Sequence, residues 1–245
     1  KPLVLTAALM RQSIDFCLVR RGSMNKVEAT KLKEAFDKDG VVVIRNFITQ
    51  QQLDEICDKA EMLTRKLPKR SDNFSNVTKG LDRMDSYFND LLHKGPQVAI
   101  LEMLLGEKPR PTTASIFTKN KHSQEVHPHS DAMKGGVVWL AIDETNIDNG
   151  CLQFLKGSDQ REEEFAHLSA SKPIDLSDHP DRFECAMNPG DIAFFRPTTV
   201  HWSGPNHEGT IRRGLNYFYV GDPFEGLKGR YTQDEWTALK KKNNL

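Results

Sequence analysis

Asn188-Pro-Gly-Asp-Ile-Ala-Phe-Phe-Arg-Pro-Thr-Thr-Val-His201 opens with a tight turn, continues as an aromatic and β-branched run, and ends on a histidine. Pro-Gly marks the turn, and the run from Asp191 suits a strand that carries His201. A second segment supplies partners for that histidine: His129 and Asp131 flank Ser130. In a β-strand, residues i and i+2 project to the same side, so His129 and Asp131 can bind one ion while Ser130 faces away. With His201 approaching from across a barrel, the three form the 2-His-1-carboxylate set of a facial triad, which leaves positions on Fe(II) open for a cosubstrate and O₂. The same donors also bind zinc, so the ligand set alone does not choose the metal.

The surroundings repeat the strand-and-turn pattern. Asn149-Gly-Cys-Leu-Gln-Phe-Leu-Lys-Gly-Ser158 begins with a turn signal and continues as an apolar strand, Trp202-Ser-Gly-Pro-Asn206 follows the last histidine, and Ile211-Arg-Arg-Gly-Leu-Asn-Tyr-Phe-Tyr-Val220 reads as a further strand. Alternation along it puts Arg212, Gly214 and Asn216 on one face, with Ile211, Arg213 and Leu215 on the other. Upstream the period changes. Residues 26–38 read as an amphipathic helix with Val27, Leu32, Ala35 and Phe36 inward, stopped by Gly40, and residues 41–44 as a short buried strand. Thr49 can cap a second helix over 50–67, with Leu53, Ile56, Cys57, Ala60 and Leu63 on one stripe, closed by Leu67-Pro-Lys-Arg70. Residues 95–105 read as a third helix, after which 112–118 begins a series of strands. Helices first, then strands with Gly and Pro turns, predict a mainly β fold with helices: a double-stranded β-helix (jelly roll, cupin-like) buttressed by N-terminal helices.

A chain of 245 residues can bury a sizeable core as one catalytic domain. That domain is expected at 24–245. Residues 1–23 read as a tag leader or N-terminal extension, because Leu18-Val-Arg-Arg-Gly-Ser23 before Met24 differs by one residue from a common protease-cleavable leader. Equal numbers of basic and acidic residues, 34 of each, give no net field to attract nucleic acid or an anionic membrane. The apolar stretch 137–142 is far too short to span a bilayer. Cys17, Cys57, Cys151 and Cys185 form no Cys-x-x-Cys pair, which disfavours a zinc knuckle or a disulfide scaffold. A reducing compartment suits Fe(II), and the expected location is cytoplasmic.

Taken in order, these blocks resemble the phytanoyl-CoA dioxygenase (PhyH) family of Fe(II)/2-oxoglutarate oxygenases. The resemblance rests on His-x-Asp at His129, Asn-Gly-Cys-Leu at Asn149, Pro-Gly-Asp at Pro189, His-x-Ser-Gly-Pro-Asn at His201, and Arg212, eleven positions after that histidine. The opening Phe36-Asp-Lys-Asp-Gly-Val-Val-Val-Ile-Arg-Asn-Phe47 also looks like the family's N-terminal helix and first strand. Lys156 stands where the family commonly has Pro and Asp159 where it commonly has His, both read as part of a turn away from the ligands.

The resemblance implies Fe(II), with 2-oxoglutarate and O₂ as cosubstrates, held by His129, Asp131 and His201. It implies that Arg212 receives the far carboxylate of 2-oxoglutarate, for which a planar donor fork is better suited than lysine, and that Ser203 helps to hold it. Trp139 matches a tryptophan lining the cosubstrate pocket, with a plain core aromatic as the competing reading. Lys119 is placed at the pocket mouth, with a surface lysine as the alternative. Arg83, Tyr87, Asn120, His127 and Trp202 are candidate substrate contacts. Their polar, basic character favours a small zwitterion, an amino acid or a 2-aminoethylphosphonate-like molecule, over a lipid. Lys242-Asn-Asn-Leu245, unlike a Ser-Lys-Leu address, argues in the same direction. With a carboxylate at Asp131 the expected outcome is hydroxylation. Desaturation, epimerisation or ring closure on the same iron, and a non-catalytic or zinc-binding jelly roll, are the alternatives. The expected partner is a small-molecule substrate.

Overall fold

Reciprocal capping starts the helices. The computed structural model describes residues 16–17, 24–65, 77–131, 134–220 and 238. β1 (Phe16–Cys17), inside the stretch read as a leader or extension, lies parallel to β2 (Val41–Arg45) with Phe16 opposite Ile44. Between them, the Asn25 side chain accepts from the Glu28 amide while the Glu28 carboxylate accepts from the Asn25 amide, a capping box that starts α1 (Lys26–Asp39). Gly40, at φ 72°, ends the helix in the left-handed region that glycine adopts freely. Thr49 and Gln52 build a second capping box for α2 (Gln50–Thr64). The predicted closing segment Leu67 to Arg70 lies outside the described residues.

A seven-stranded sheet combines β1 and β2 with β3 (Val77–Lys79), β4 (Arg110–Lys119), β6 (Gly135–Ala141), β9 (Ile192–Phe195) and β11 (Arg212–Val220), in the order β1-β2-β9-β6-β11-β4-β3. A four-stranded sheet runs β5-β10-β7-β8, from β5 (Val126–His129), β7 (Leu152–Leu155), β8 (Arg182–Cys185) and β10 (His201–Ser203). Helices α3 (Leu81–Met84), α4 (Ser86–Lys94) and α5 (Pro96–Leu105) join α1 and α2, and α6 (Glu162–Phe165) follows β7. The result is a jelly roll with helices α1 to α5 packed on the larger sheet and α6 beside the smaller one.

Alternation divides that sheet between two cores. Leu215, Tyr217 and Tyr219 of β11 pack with Ile116, Val138, Leu140 and Phe194 against Leu32, Phe36, Leu53, Ile56, Leu92 and Leu101 of the helices. Val41, Val43, Trp139, Ala193 and Phe195 face the other way and meet Leu152, Phe154 and Cys185 of the smaller sheet.

Three expectations need correction. The run from Asp191 to His201 is two strands, not one: β9 belongs to the larger sheet and β10 to the smaller, and residues 196–200 cross between them. Pro197 cannot donate to a ladder, which suits a break there. Val27 is 63% exposed, because five residues carry it about 140° around the helix from Leu32, off the stripe formed by Leu32, Ala35 and Phe36. Residues 95–105, read as the third helix, hold the fifth, because residues 81–94 form α3 and α4, short helices joined through Asp85, whose carboxylate accepts from the Tyr87 amide.

Gly214 sits on the inner face where a Cβ would lie 2.2 Å from the Trp139 ring. Gly214→Ala should therefore lose about 1–3 kcal/mol through overpacking, read from urea denaturation against wild type.

Candidate metal centre

β5 and β10 are neighbours in the smaller sheet, with His201 opposite His129. That register brings the two imidazoles together at 4.4 Å between ring centroids. Asp131 lies just beyond the end of β5, so strand alternation alone does not aim it. Its amide donates to the Pro197 carbonyl at 2.9 Å. The three side chains then offer ligand atoms that all lie within 4.8 Å of one another, with His201 Nε2 4.0 Å from Asp131 Oδ2.

Each imidazole is oriented from behind. His129 Nδ1 donates to the His127 carbonyl and His201 Nδ1 to the Thr199 carbonyl, both at 2.8 Å, which leaves the two Nε2 lone pairs for an ion. Burial, and next the neighbouring His129, pushes His201 down to about 4, so it is held neutral as a metal ligand must be. Phe154 and Phe195 wall it on the apolar side.

Beyond the ligands lies a buried cationic end. Arg212 and Lys119 face each other across β11 and β4, 2% and 8% exposed. The surface-lysine alternative for Lys119 is thereby overturned: its Nζ donates to the carbonyls of Gln124 at 2.7 Å and Gly204 at 2.6 Å. Burial, then the charge of Arg212, lowers Lys119 to about 7. Arg212 donates from Nη2 to the Gly150 carbonyl, while its buried Nε has no partner. Trp139 packs in the inner core, as the plain core-aromatic reading has it, and its ring lies under the Arg212 guanidinium at 5.4 Å.

The remaining candidates separate. His127, half-buried, pairs with Glu125 at 3.2 Å, and Asn120 is exposed at the end of β4. Ser203 is buried on β10, two residues from His201. Three candidates are not brought to the triad. Trp202 points to the opposite face of β10 and packs with Leu155, Phe165 and Val200. Tyr87 lies in the helical layer against Phe88, with Lys59 over its ring at 4.9 Å. The Arg83 side chain is 75% exposed beside Asp82.

A profile of the family described as Phytanoyl-CoA dioxygenase (PhyH) matches residues 36–214. The chain belongs to this family. It is an Fe(II)- and 2-oxoglutarate-dependent dioxygenase that uses O₂ and acts on a small molecule. It is 21% identical over 246 residues to a probable phytanoyl-CoA dioxygenase of Caenorhabditis elegans, covering 83% of this chain and 78% of that one. It is 26% identical over 207 residues to a probable alpha-ketoglutarate-dependent hypophosphite dioxygenase of Stutzerimonas stutzeri, covering 75% and 71%. In fold it is similar to the epimerase SnoN in complex with Fe3+, alpha ketoglutarate and nogalamycin RO, with a TM-score of 0.65 at 17% identity, covering 80% of this chain and 84% of that one.

The residues of this PhyH chain fit the family's cofactors. Two neutral imidazoles and a carboxylate suit Fe(II). The unpartnered Arg212 Nε and the Lys119 ammonium, with no ion pair between either cation and a carboxylate among the described residues, suit a bound dianion. Among the described residues, no helix is long and apolar enough to cross a membrane.

Sequence reading missed the inner-face row formed by Lys79, Ser115, Asn216 and Trp139, aligned across β3, β4, β11 and β6. Only strand pairing reveals it. It quoted Asn206 as the end of a motif without giving it a role: its Nδ2 donates to the carbonyls of Lys119 and Thr210 and ties them together.

Replacing His129 or His201 by alanine should weaken Fe(II) binding by more than the roughly 10–100-fold that follows from losing a ligand's hydrogen-bond partner. Anaerobic equilibrium dialysis measures it.

Proposed function

We propose that this PhyH member hydroxylates an unactivated C–H bond of a small zwitterion of the amino-acid or 2-aminoethylphosphonate class, with 2-oxoglutarate released as succinate and CO₂. The observation that carries the reading is the carboxylate of Asp131, which groups with His129 and His201 as a third ligand and, as the family resemblance implies, favours hydroxylation. Bound iron supplies the oxidative chemistry that no side chain performs.

In this reading, His129, Asp131 and His201 hold the metal. Arg212 and Lys119 receive the distal carboxylate of 2-oxoglutarate, with Ser203 beside them and Trp139 as a flat wall under the guanidinium. A buried cation pair costs desolvation in the free protein, and an incoming dianion removes that cost. This favours the cosubstrate over neutral analogues. In this reading the substrate rim is Glu125 and His127, which pair at 3.2 Å, with the exposed Asn120 at the end of β4. Such a rim complements a molecule carrying both an ammonium and an anionic group. The small phosphorus oxyanion in the name of the Stutzerimonas relative supports a compact, charged substrate.

The test is anaerobic reconstitution with Fe(II) and 2-oxoglutarate, followed by a panel of amino acids and aminoalkylphosphonates. The expected results are a weak visible charge-transfer band that one compound shifts, substrate-dependent succinate, and a product gaining one oxygen atom. A panel with no succinate above the uncoupled background would overturn the substrate class. Arg212→Ala should sharply weaken 2-oxoglutarate binding while leaving Fe(II) binding in place.

The lysine adds a pH dependence. Burial and Arg212 lower Lys119 to about 7, and a dianion beside it favours the ammonium, so binding above that pH takes up a proton. The Kd for 2-oxoglutarate should rise above pH 7, approaching about tenfold per pH unit. Lys119→Met should flatten that profile, as measured by titration of the charge-transfer band.

A further inference from the structure

Residues 196–200 carry the chain from one sheet to the other, and their backbone touches two of the three ligand side chains' residues. Pro197 O accepts from the Asp131 amide and Thr199 O from His201 Nδ1. A loop that sets ligand geometry must itself be held, and its anchor is the C-terminal end of α1. Arg196 stands at the loop's start. Its amide donates to the Gly40 carbonyl at 3.0 Å, Nη1 to the Phe36 carbonyl at 3.0 Å and to Asp159 Oδ2 at 3.2 Å, and Nη2 to Asp37 Oδ1 at 2.9 Å. The guanidinium also lies over the Phe36 ring at 4.4 Å. Further along, Thr199 Oγ1 donates to the Gly40 carbonyl at 3.1 Å and the Val200 amide donates to Ser158 Oγ at 2.8 Å.

Resting on the metal-site reading above, we infer that Arg196 is a positioning residue for the iron centre: it fixes the crossing loop whose carbonyls aim His201 and place Asp131. Asp159, read from sequence as lying in a turn away from the ligands, is part of this clamp. Among the described residues its carboxylate bonds Arg196 and none of the three ligands, so it acts through Arg196. The planar fork is needed because three acceptors, two carboxylates and one carbonyl, converge on it from different directions.

A second ion pair gives the control. At the end of β9 away from the crossing loop, Arg45 Nη1 meets Asp191 Oδ2 at 2.9 Å, and Asp191 Oδ2 accepts from the Asn188 amide in the turn at 188–191. Both arginines clamp the same strand, but only one lies beside the ligands.

The experiment compares the full chain with Arg196→Ala, Arg196→Lys and Arg45→Ala, measuring Tm, Fe(II) Kd by anaerobic dialysis, and the visible spectrum of the Co(II)-loaded protein. Arg196→Ala should raise the Fe(II) Kd by about 10–100-fold and change the Co(II) spectrum. Arg196→Lys should recover only part of the loss. Arg45→Ala should lower Tm while Kd and spectrum stay those of wild type. Should Arg196→Ala fail to fold, Thr199→Val, which removes one bond to the same loop, must shift Kd and spectrum in the same direction. An unchanged Kd in folded Arg196→Ala or Thr199→Val, or an equal shift in Arg45→Ala, overturns the inference. Failure of wild type itself to bind Fe(II) overturns the proposed function instead.

Discussion

Two backbone carbonyls, those of Pro197 and Thr199, set the geometry on which the rest of this site depends. Side-chain ligands contribute to a metal centre only when their rotamers are restricted, and an imidazole has two nitrogens that must be told apart. Here the distinction is made by the protein backbone, with Nδ1 engaged on both histidines and Nε2 left for the ion. The same crossing loop supports Asp131, whose residue has already left its strand. The jelly roll therefore serves the site by forcing the chain to pass from one sheet to the other beside the ligands.

Buried charge is the second constraint. Arg212 and Lys119 sit opposite each other in a protein interior that penalises both. The surroundings reduce the penalty through carbonyls that accept from both cations and through the face of Trp139, with no carboxylate in an ion pair with either among the described residues. Gly214 permits this arrangement, since any side chain there would displace the ring that the guanidinium covers. The depressed pKa of Lys119, lowered first by burial and then by Arg212, is the local sign of that penalty.

The helical layer has a role beyond covering the larger sheet. α1 ends at Gly40 next to the crossing loop, and its last turn presents the Phe36 carbonyl and the Asp37 carboxylate to Arg196. The helix is held to the sheet by Leu32 and Phe36 in the outer core. Packing in that core is thus mechanically continuous with the ligand geometry.

By itself the sequence determined the strand-rich class, the grouping of His129, Asp131 and His201, the placing of Arg212 and Arg213 on opposite faces of β11, and the helix at 26–38 with its glycine stop. Each rests on local periodicity or spacing, which a chain expresses before it folds. Arg212 is buried and Arg213 pairs with Asp143 on the other face, as alternation requires. Tertiary structure alone decided the rest. Trp202 and Tyr87 carry the right chemistry for substrate contact, but their sheet face and helical layer turn them elsewhere. Lys119 is polar enough to read as a surface residue, and only pairing with β11 buries it. The break at Arg196 and the clamp around it join residues 36–40, 158–159 and 196–200, segments far apart in the chain. No local pattern encodes such a junction, because its energy comes from contacts that exist only once the two sheets have closed.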